Sequence, residues 1–176
     1  MFRFKCFDVR DERSAMKVGT DGCLLGGWFD CRESCRILDA GCGTGLIAIM
    51  AAQRCDAEVV GVEIDAKAAA RARKNADNSP WGERVEIVQC YLLEYNTEAP
   101  FDTIVSNPPY IKENEKSAMH NNVLDWEPHT ALFVPDSDPL LFYRTQDVKE
   151  LADTFILCCR MKGVQLGECG FYKSGS

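Results

Sequence analysis

Short apolar stretches alternate with helix-forming ones along this chain, and that alternation restricts its fold more than any other feature. The apolar stretches are 36–41 (RILDAG), 58–64 (EVVGVEI), 85–90 (VEIVQC), 101–107 (FDTIVSN) and 154–159 (TFILCC). Leu46 to Arg54 and residues 66–78 carry the small and long-chain residues that favour helix, and 138–151 reads the same way. Strands separated by helical crossovers pair in parallel, so the expected fold is α/β, a mostly parallel sheet with helices on both faces. Ligands of such sheets sit beyond the C-terminal ends of the strands. Residues 2–9 alternate aromatic with polar and read as a strand, and 10–14 as a turn. Residues 16–29 pass through a Gly-Thr-Asp turn into a short apolar helix, with Asp21 or Thr20 as its cap. Residues 164–172 read as a weaker strand or hairpin.

The 176 residues show no repeat or long linker and suit one domain, 1–176. At 46% hydrophobic and 27% charged, the composition is that of an ordinary globular protein. No apolar run reaches membrane-spanning length, and Met1 to Lys5 lacks the apolar core of a signal peptide. A cytoplasmic protein without membrane contact is expected. The net charge of −7 weighs against a broad electrostatic grip on nucleic acid. Two basic runs stand out: Arg71, Arg73 and Lys74, and Lys5, Arg10, Arg13 and Lys17. They are expected to be a solvated helix face and a solvated hairpin. The ten cysteines include no C-x-x-C pair, and Cys31 and Cys35 have no partner pair at zinc-site spacing. Cys90, Cys158 and Cys159 lie in apolar runs, so the thiols are expected to be buried or incidental, with no metal bound.

Asp39-Ala40-Gly41-Cys42-Gly43-Thr44-Gly45 follows the first apolar strand. Glycines at alternate positions let the backbone turn tightly and approach a ligand, and the next helix points its free amides at it. Glu63 ends the second strand, where a carboxylate can accept hydrogen bonds from ribose hydroxyls. The G-x-G-x-G spacing differs from the dinucleotide G-x-G-x-x-G. It resembles the D-x-G-x-G-x-G loop of the class I methyltransferases, whose fold is Rossmann-like. That resemblance implies S-adenosylmethionine as cofactor. Asp39, Gly41, Gly43 and Gly45 would hold its amino-acid part, and Glu63, with Ile64 beside it, its ribose. The acid that usually follows the third strand is missing here, which leaves Tyr91 or Glu94 for the adenine.

The fourth strand ends in Ser106-Asn107-Pro108-Pro109-Tyr110. The amine of adenine or of a carboxamide is a poor nucleophile because its lone pair is delocalised. Acceptors on its hydrogens let the nitrogen pyramidalise. The Asn107 side-chain oxygen and the Pro108 carbonyl are two such acceptors, Pro108 and Pro109 stiffen the turn, and Tyr110 can stack on the flat group. Positioning and transition-state hydrogen bonding then do the catalysis, and no general base is required. His120 and His129 read as surface loop residues.

Roughly residues 1–110 resemble the bacterial tRNA adenine-N6 methyltransferases acting on valine tRNA. Phe2 to Lys5, Ala15 to Gly22, Leu24 to Gly26, Ala52 to Arg54 and Asn78 to Trp81 carry that likeness. It implies that Lys17, Gly19, Thr20 and Asp21 lie beside the cofactor, with residues 1–30 as a flanking hairpin and helix. Ile111 to Glu115, Trp126 to Pro128, Ala131-Leu132 and Leu141 to Arg144 resemble the release-factor glutamine methyltransferases instead. Those normally carry a separate N-terminal helical domain for which this chain has no room. Beyond Arg144 neither family fits, and an incomplete C-terminal strand pair with an exposed sheet edge is expected, as in a truncated or composite chain. The leading reading is an S-adenosylmethionine-dependent methyltransferase of adenine N6 in tRNA. The rival is a glutamine-N5 methyltransferase with a release factor as substrate. A binding module that has kept only the fold comes third, and a nicotinamide oxidoreductase fits least.

Overall fold

The computed structural model describes residues 1–12 and 17–108, together with the backbone of four further strands at 111–112, 133–134, 152–157 and 171–173. Its frame is a six-stranded sheet built from β3 (Arg36–Ala40), β4 (Glu58–Glu63), β5 (Val85–Gln89), β6 (Phe101–Ser106), β9 (Ala152–Leu157) and β10 (Phe171–Lys173). The strand order is β10-β9-β6-β3-β4-β5, and every pairing is parallel except that of β10 with β9. The crossovers between β3, β4 and β5 are α2 (Leu46–Arg54) and α3 (Ala66–Asp77). Two short strands, β7 (Ile111–Lys112) and β8 (Phe133–Val134), pair in parallel outside this sheet.

Strand alternation sorts the core into two halves. Ile37, Val59, Val85, Ile87 and Val105 face α1 (Thr20–Trp28), α2 and α3 in one buried cluster, which also takes Phe29. Leu38, Ala40, Val60, Val62, Phe101 and Ile104 form a second cluster on the opposite face, partly covered by Val88, Cys90, Leu92 and Tyr95. All three described helices thus lie on the first face. The helix expected over 138–151 lies outside the described residues. Phe29, Phe101, Ile37 and Leu38 are among the largest fully buried side chains. Each contributes about 1.5–3 kcal/mol by leaving water.

Polar contacts fix the ends of the central strands. Asp102 accepts the backbone N–H groups of Cys35 and Arg36, both at 2.7 Å, which sets the entry into β3. The Arg36 guanidinium lies over the Phe101 ring at 4.6 Å. Arg84 donates to the carbonyls of Ala52, Cys55 and Ala57, gathering the α2–β4 connection.

Several expectations need correction. Residues 2–9 are not one strand but a hairpin of β1 (Phe2–Arg3) and β2 (Asp8–Val9). The Phe4 N–H donates to the Phe7 carbonyl at 2.9 Å and the two rings stack at 4.6 Å, so the aromatic alternation closes on itself. Neither Thr20 nor Asp21 caps α1: its N-cap is Gly19, without a side-chain hydrogen bond. The fifth strand starts two residues earlier than expected, at Ala152. The C-terminal pair has an antiparallel member, β10, in register Phe171↔Ile156.

Asn75 on α3 ties the hairpin to the frame. Its side chain accepts the Arg10 N–H at 3.0 Å and donates to the carbonyls of Arg10 and Thr44 at 3.1 and 2.8 Å. It is 2% exposed, so Asn75→Ala leaves partnerless polar groups where water has little access. That variant is expected to lose about 2–3 kcal/mol of stability. Urea denaturation midpoints check this, and an unchanged midpoint would show that the hairpin docks without Asn75.

Candidate active site

Three strands bring the sequence motifs to one edge of the sheet. Ala40 at the end of β3 pairs with Val62 on one side and Ser106 on the other. The residues that follow, Gly41 and Asn107, therefore leave the sheet side by side, with Glu63 at the end of the other neighbour. Gly41, Gly43 and Gly45 have φ of 77°, 55° and 78°, left-handed values at which any side chain would be strained. A Cβ at Gly41 or Gly43 would meet nothing within 4 Å, whereas Gly45 sits against Ala72 of α3. The turn is braced from below, where the Gly41 and Cys42 N–H groups both donate to the Val62 carbonyl, at 2.9 and 3.0 Å.

Asp39 is fully buried beneath this turn. Its Oδ2 accepts the Ala48 N–H of α2 at 3.0 Å, while its Oδ1 has no partner. Burial pushes its carboxyl up to about 7; the Glu63 charge pushes the same way and the Ala48 N–H opposes. Glu63 stands half-buried, with Oε2 accepting the Gly43 N–H and Oε1 the Asp65 N–H, both at 2.9 Å. Burial and the same two acids push the Cys42 thiol up. On the β6 side, Asn107 Oδ1 is buried without a partner, and Pro108 is buried beside it. The Ser106 hydroxyl donates to the Ala40 carbonyl at 2.7 Å, joining the ends of β3 and β6.

The remaining expected residues divide. Gly22, one turn into α1, lies where an added Cβ would be 3.4 Å from Leu46 and 3.9 Å from the Asn107 amide nitrogen. This close approach carries Gly19, Thr20 and Asp21 to the same edge, with exposed Lys17 just before them. Ile64 and Tyr91, after β4 and β5, are exposed at 62% and 49%. Glu94 is exposed on the short 3-10 turn after Tyr91. Pro109, Tyr110, His120 and His129 lie outside the described residues. Sequence reading passed over Ser106 and Gly22. Ser106 adjoins the motif that was singled out, and Gly22 lies within a string that was quoted, but only the packing gives them their contacts. All seven described cysteines are free thiols, and among the described residues no three His, Cys, Asp or Glu side chains group as for a metal ion.

A parallel sheet whose central strand runs into a three-glycine turn, next to a strand ending in Asn-Pro, is the Rossmann-like fold of the class I methyltransferases. The solved structure of StiE O-MT shares it, with a TM-score of 0.50 at 16% identity over 76% of this chain and 40% of that one. Residues 14–125 match the family model of the methyltransferase small domain, and the chain belongs to that family. It is also similar to proteins named tRNA1(Val) (adenine(37)-N6)-methyltransferase. One from Bacteroides fragilis is 50% identical over 136 residues, covering 72% of this chain and 57% of the relative. One from Aeromonas hydrophila is 51% identical over 111 residues, covering 62% and 47%. The chain thus spans about half the length of these curated relatives.

The Asp39 carboxyl gives a pH test. Its folded value of about 7 exceeds the unfolded 3.8, so folding is unpenalised below 3.8 and loses stability as pH rises toward 7. Asp39→Asn removes that dependence. Its denaturation midpoint relative to wild type, both without ligand, should improve from pH 5 to about pH 7 and level off by pH 8. Equal offsets at the two ends would show that Asp39 does not titrate in this window.

Proposed function

We propose that this chain is the catalytic core of an S-adenosylmethionine-dependent methyltransferase acting on adenine N6 in tRNA, and that residues 1–176 form a single methyltransferase domain. The observation that carries the reading is a pair of buried, partnerless oxygens flanking the glycine turn: Asp39 Oδ1 and Asn107 Oδ1. An isolated buried acceptor is costly, so both sites are suited to donors that the described residues do not supply. With open space over Gly41 and Gly43, the residues fit the cofactor. Asp39 and the glycines take its amino-acid part, Glu63, with Ile64 beside it, its ribose, and Tyr91 or Glu94 its adenine. Lys17, Gly19, Thr20 and Asp21 form the flank.

The bound cofactor supplies an electrophilic sulfonium methyl group. The protein's share is to position the amine and polarise it. Asn107 Oδ1 and the Pro108 carbonyl accept the two amine hydrogens, so the lone pair leaves conjugation as the nitrogen attacks. Pro108 and Pro109 hold that turn stiff, and Tyr110 stacks on the base. Ser106 and Gly22 keep the Asn107 strand end at a fixed depth. The tRNA assignment draws on the names of the relatives. The segment that carries the release-factor resemblance lies mostly outside the described residues.

Tritiated methyl transfer to total tRNA, with nucleoside digestion, should give N6-methyladenosine. Label entering purified release factor and not tRNA would overturn the reading. Asn107→Ala should lower kcat by roughly a hundredfold or more with cofactor binding retained. Glu63→Ala should weaken cofactor binding by roughly ten- to a hundredfold, as for loss of charged hydrogen bonds. Calorimetry and initial rates separate the two effects. Wild-type turnover in Asn107→Ala would reduce the motif to a structural turn.

A further inference from the structure

The two basic runs, more than fifty residues apart in sequence, meet in space. Asn75 fastens Arg10 of the hairpin to α3 through two hydrogen bonds at 3.0 and 3.1 Å, and the Phe7 ring meets Trp81 edge-on at 6.0 Å. Between hairpin and helix lies a cleft of about 420 Å³ whose lining includes Phe4, Lys5, Asp8, Arg10, Asn75 and Asn78. The spacing of Lys67, Arg71 and Lys74 puts them on one stripe of α3, leading toward Asn78 at its end. Arg73 leaves that stripe and donates to the Ile87 carbonyl at 3.0 Å.

Neighbouring acids are largely engaged. Asp11 and Glu12 hold the Met1 amine at 2.9 and 3.0 Å, Glu12 also lies 3.9 Å from Arg71, and Asp8 lies 3.8 Å from Arg3. Among the described residues, Lys5, Lys67 and Lys74 form no ion pair with these or any other carboxylate. Lys5 and Arg10 are the cations of the cleft lining and Asp8 its acid, while Lys67 and Lys74 add unpaired cations on the adjoining stripe of α3, a helix whose one acid is Asp77.

We infer that the hairpin–α3 cleft is a docking surface for the phosphate backbone of RNA, separate from the methyl-transfer site and serving the tRNA reading on which this inference rests. Phosphate contacts of this kind fix register and orientation without reading bases. The surface is built onto the catalytic edge itself: the Asn75 amide that holds Arg10 also holds the Thr44 carbonyl in the glycine turn. Backbone grip and base presentation are therefore mounted on one rigid piece.

Fluorescence anisotropy of labelled tRNA against salt tests this with the full chain. Lys5→Glu/Lys74→Glu should weaken binding at least about tenfold at low salt, and Lys5→Gln/Lys74→Gln should reduce the log–log salt slope by about two. Arg32→Glu, at an exposed site paired with Asp30, should change neither. Cofactor binding should be unaltered in all of them, which also shows that they fold. Wild-type affinity and slope in both double variants would overturn the docking surface, leaving the substrate reading to stand on label transfer. Binding that follows the lysines while no label enters tRNA would keep the surface and overturn the substrate. If the wild-type chain does not bind tRNA, both fall.

Discussion

The Asp39 carboxylate joins the central strand to the helix that follows it, and the site is assembled around that link. One oxygen takes the Ala48 amide in the first turn of α2. The strand and helix can then be separated only by a tight turn, and the three left-handed glycines provide it. Glu63 repeats the device from the neighbouring strand by taking the Gly43 amide. Two acids thus hold a loop that has no side chains of its own with which to hold itself. A glycine turn held in this way is already ordered before a ligand arrives, which lowers the conformational cost of binding.

That arrangement also concentrates negative charge in a poorly hydrated place. The Glu63 charge makes ionisation of Asp39 harder, and both acids make ionisation of Cys42 harder. A positively charged ligand relieves this strain, whereas a neutral or anionic one does not. The site is therefore electrostatically matched to a cation at the glycine turn, and phosphate groups are better received on the basic face of α3.

Much of this was legible in the residues. The four strands of the parallel core appeared within a residue or two of their observed bounds because β3, β4 and β6 are largely buried on both faces, β5 alternates as an edge strand does, and all four are bounded by turn signals. The glycine turn, Glu63 and Asn107 were legible because their chemistry fixes residue type at short spacing. The place of the hairpin's turn was not: a Phe4–Phe7 stack and a four-residue turn leave the same alternating pattern as an extended strand. The cap of α1 was misread because Thr20 and Asp21 are good capping types, while the observed N-cap, Gly19, has no side chain to signal it. The roles of Asn75 and Ser106, and the meeting of the two basic runs, depend on contacts across 30 to 70 residues that no local pattern encodes.

The placement of all three described helices on one face bears on the order in which the protein takes shape. Among the described residues, the buried members of that cluster run from Phe7 to Ile87, with Val105 the one later contribution. A chain emerging from the ribosome therefore holds nearly all of this half-core before β6 has been made. A domain generally folds as a unit, so this half-core closes only when β6 has joined it. When β6 pairs with β3, it sets the Asn107 strand end beside a glycine turn whose own supports, Asp39, Ala48 and Glu63, all precede it in the chain.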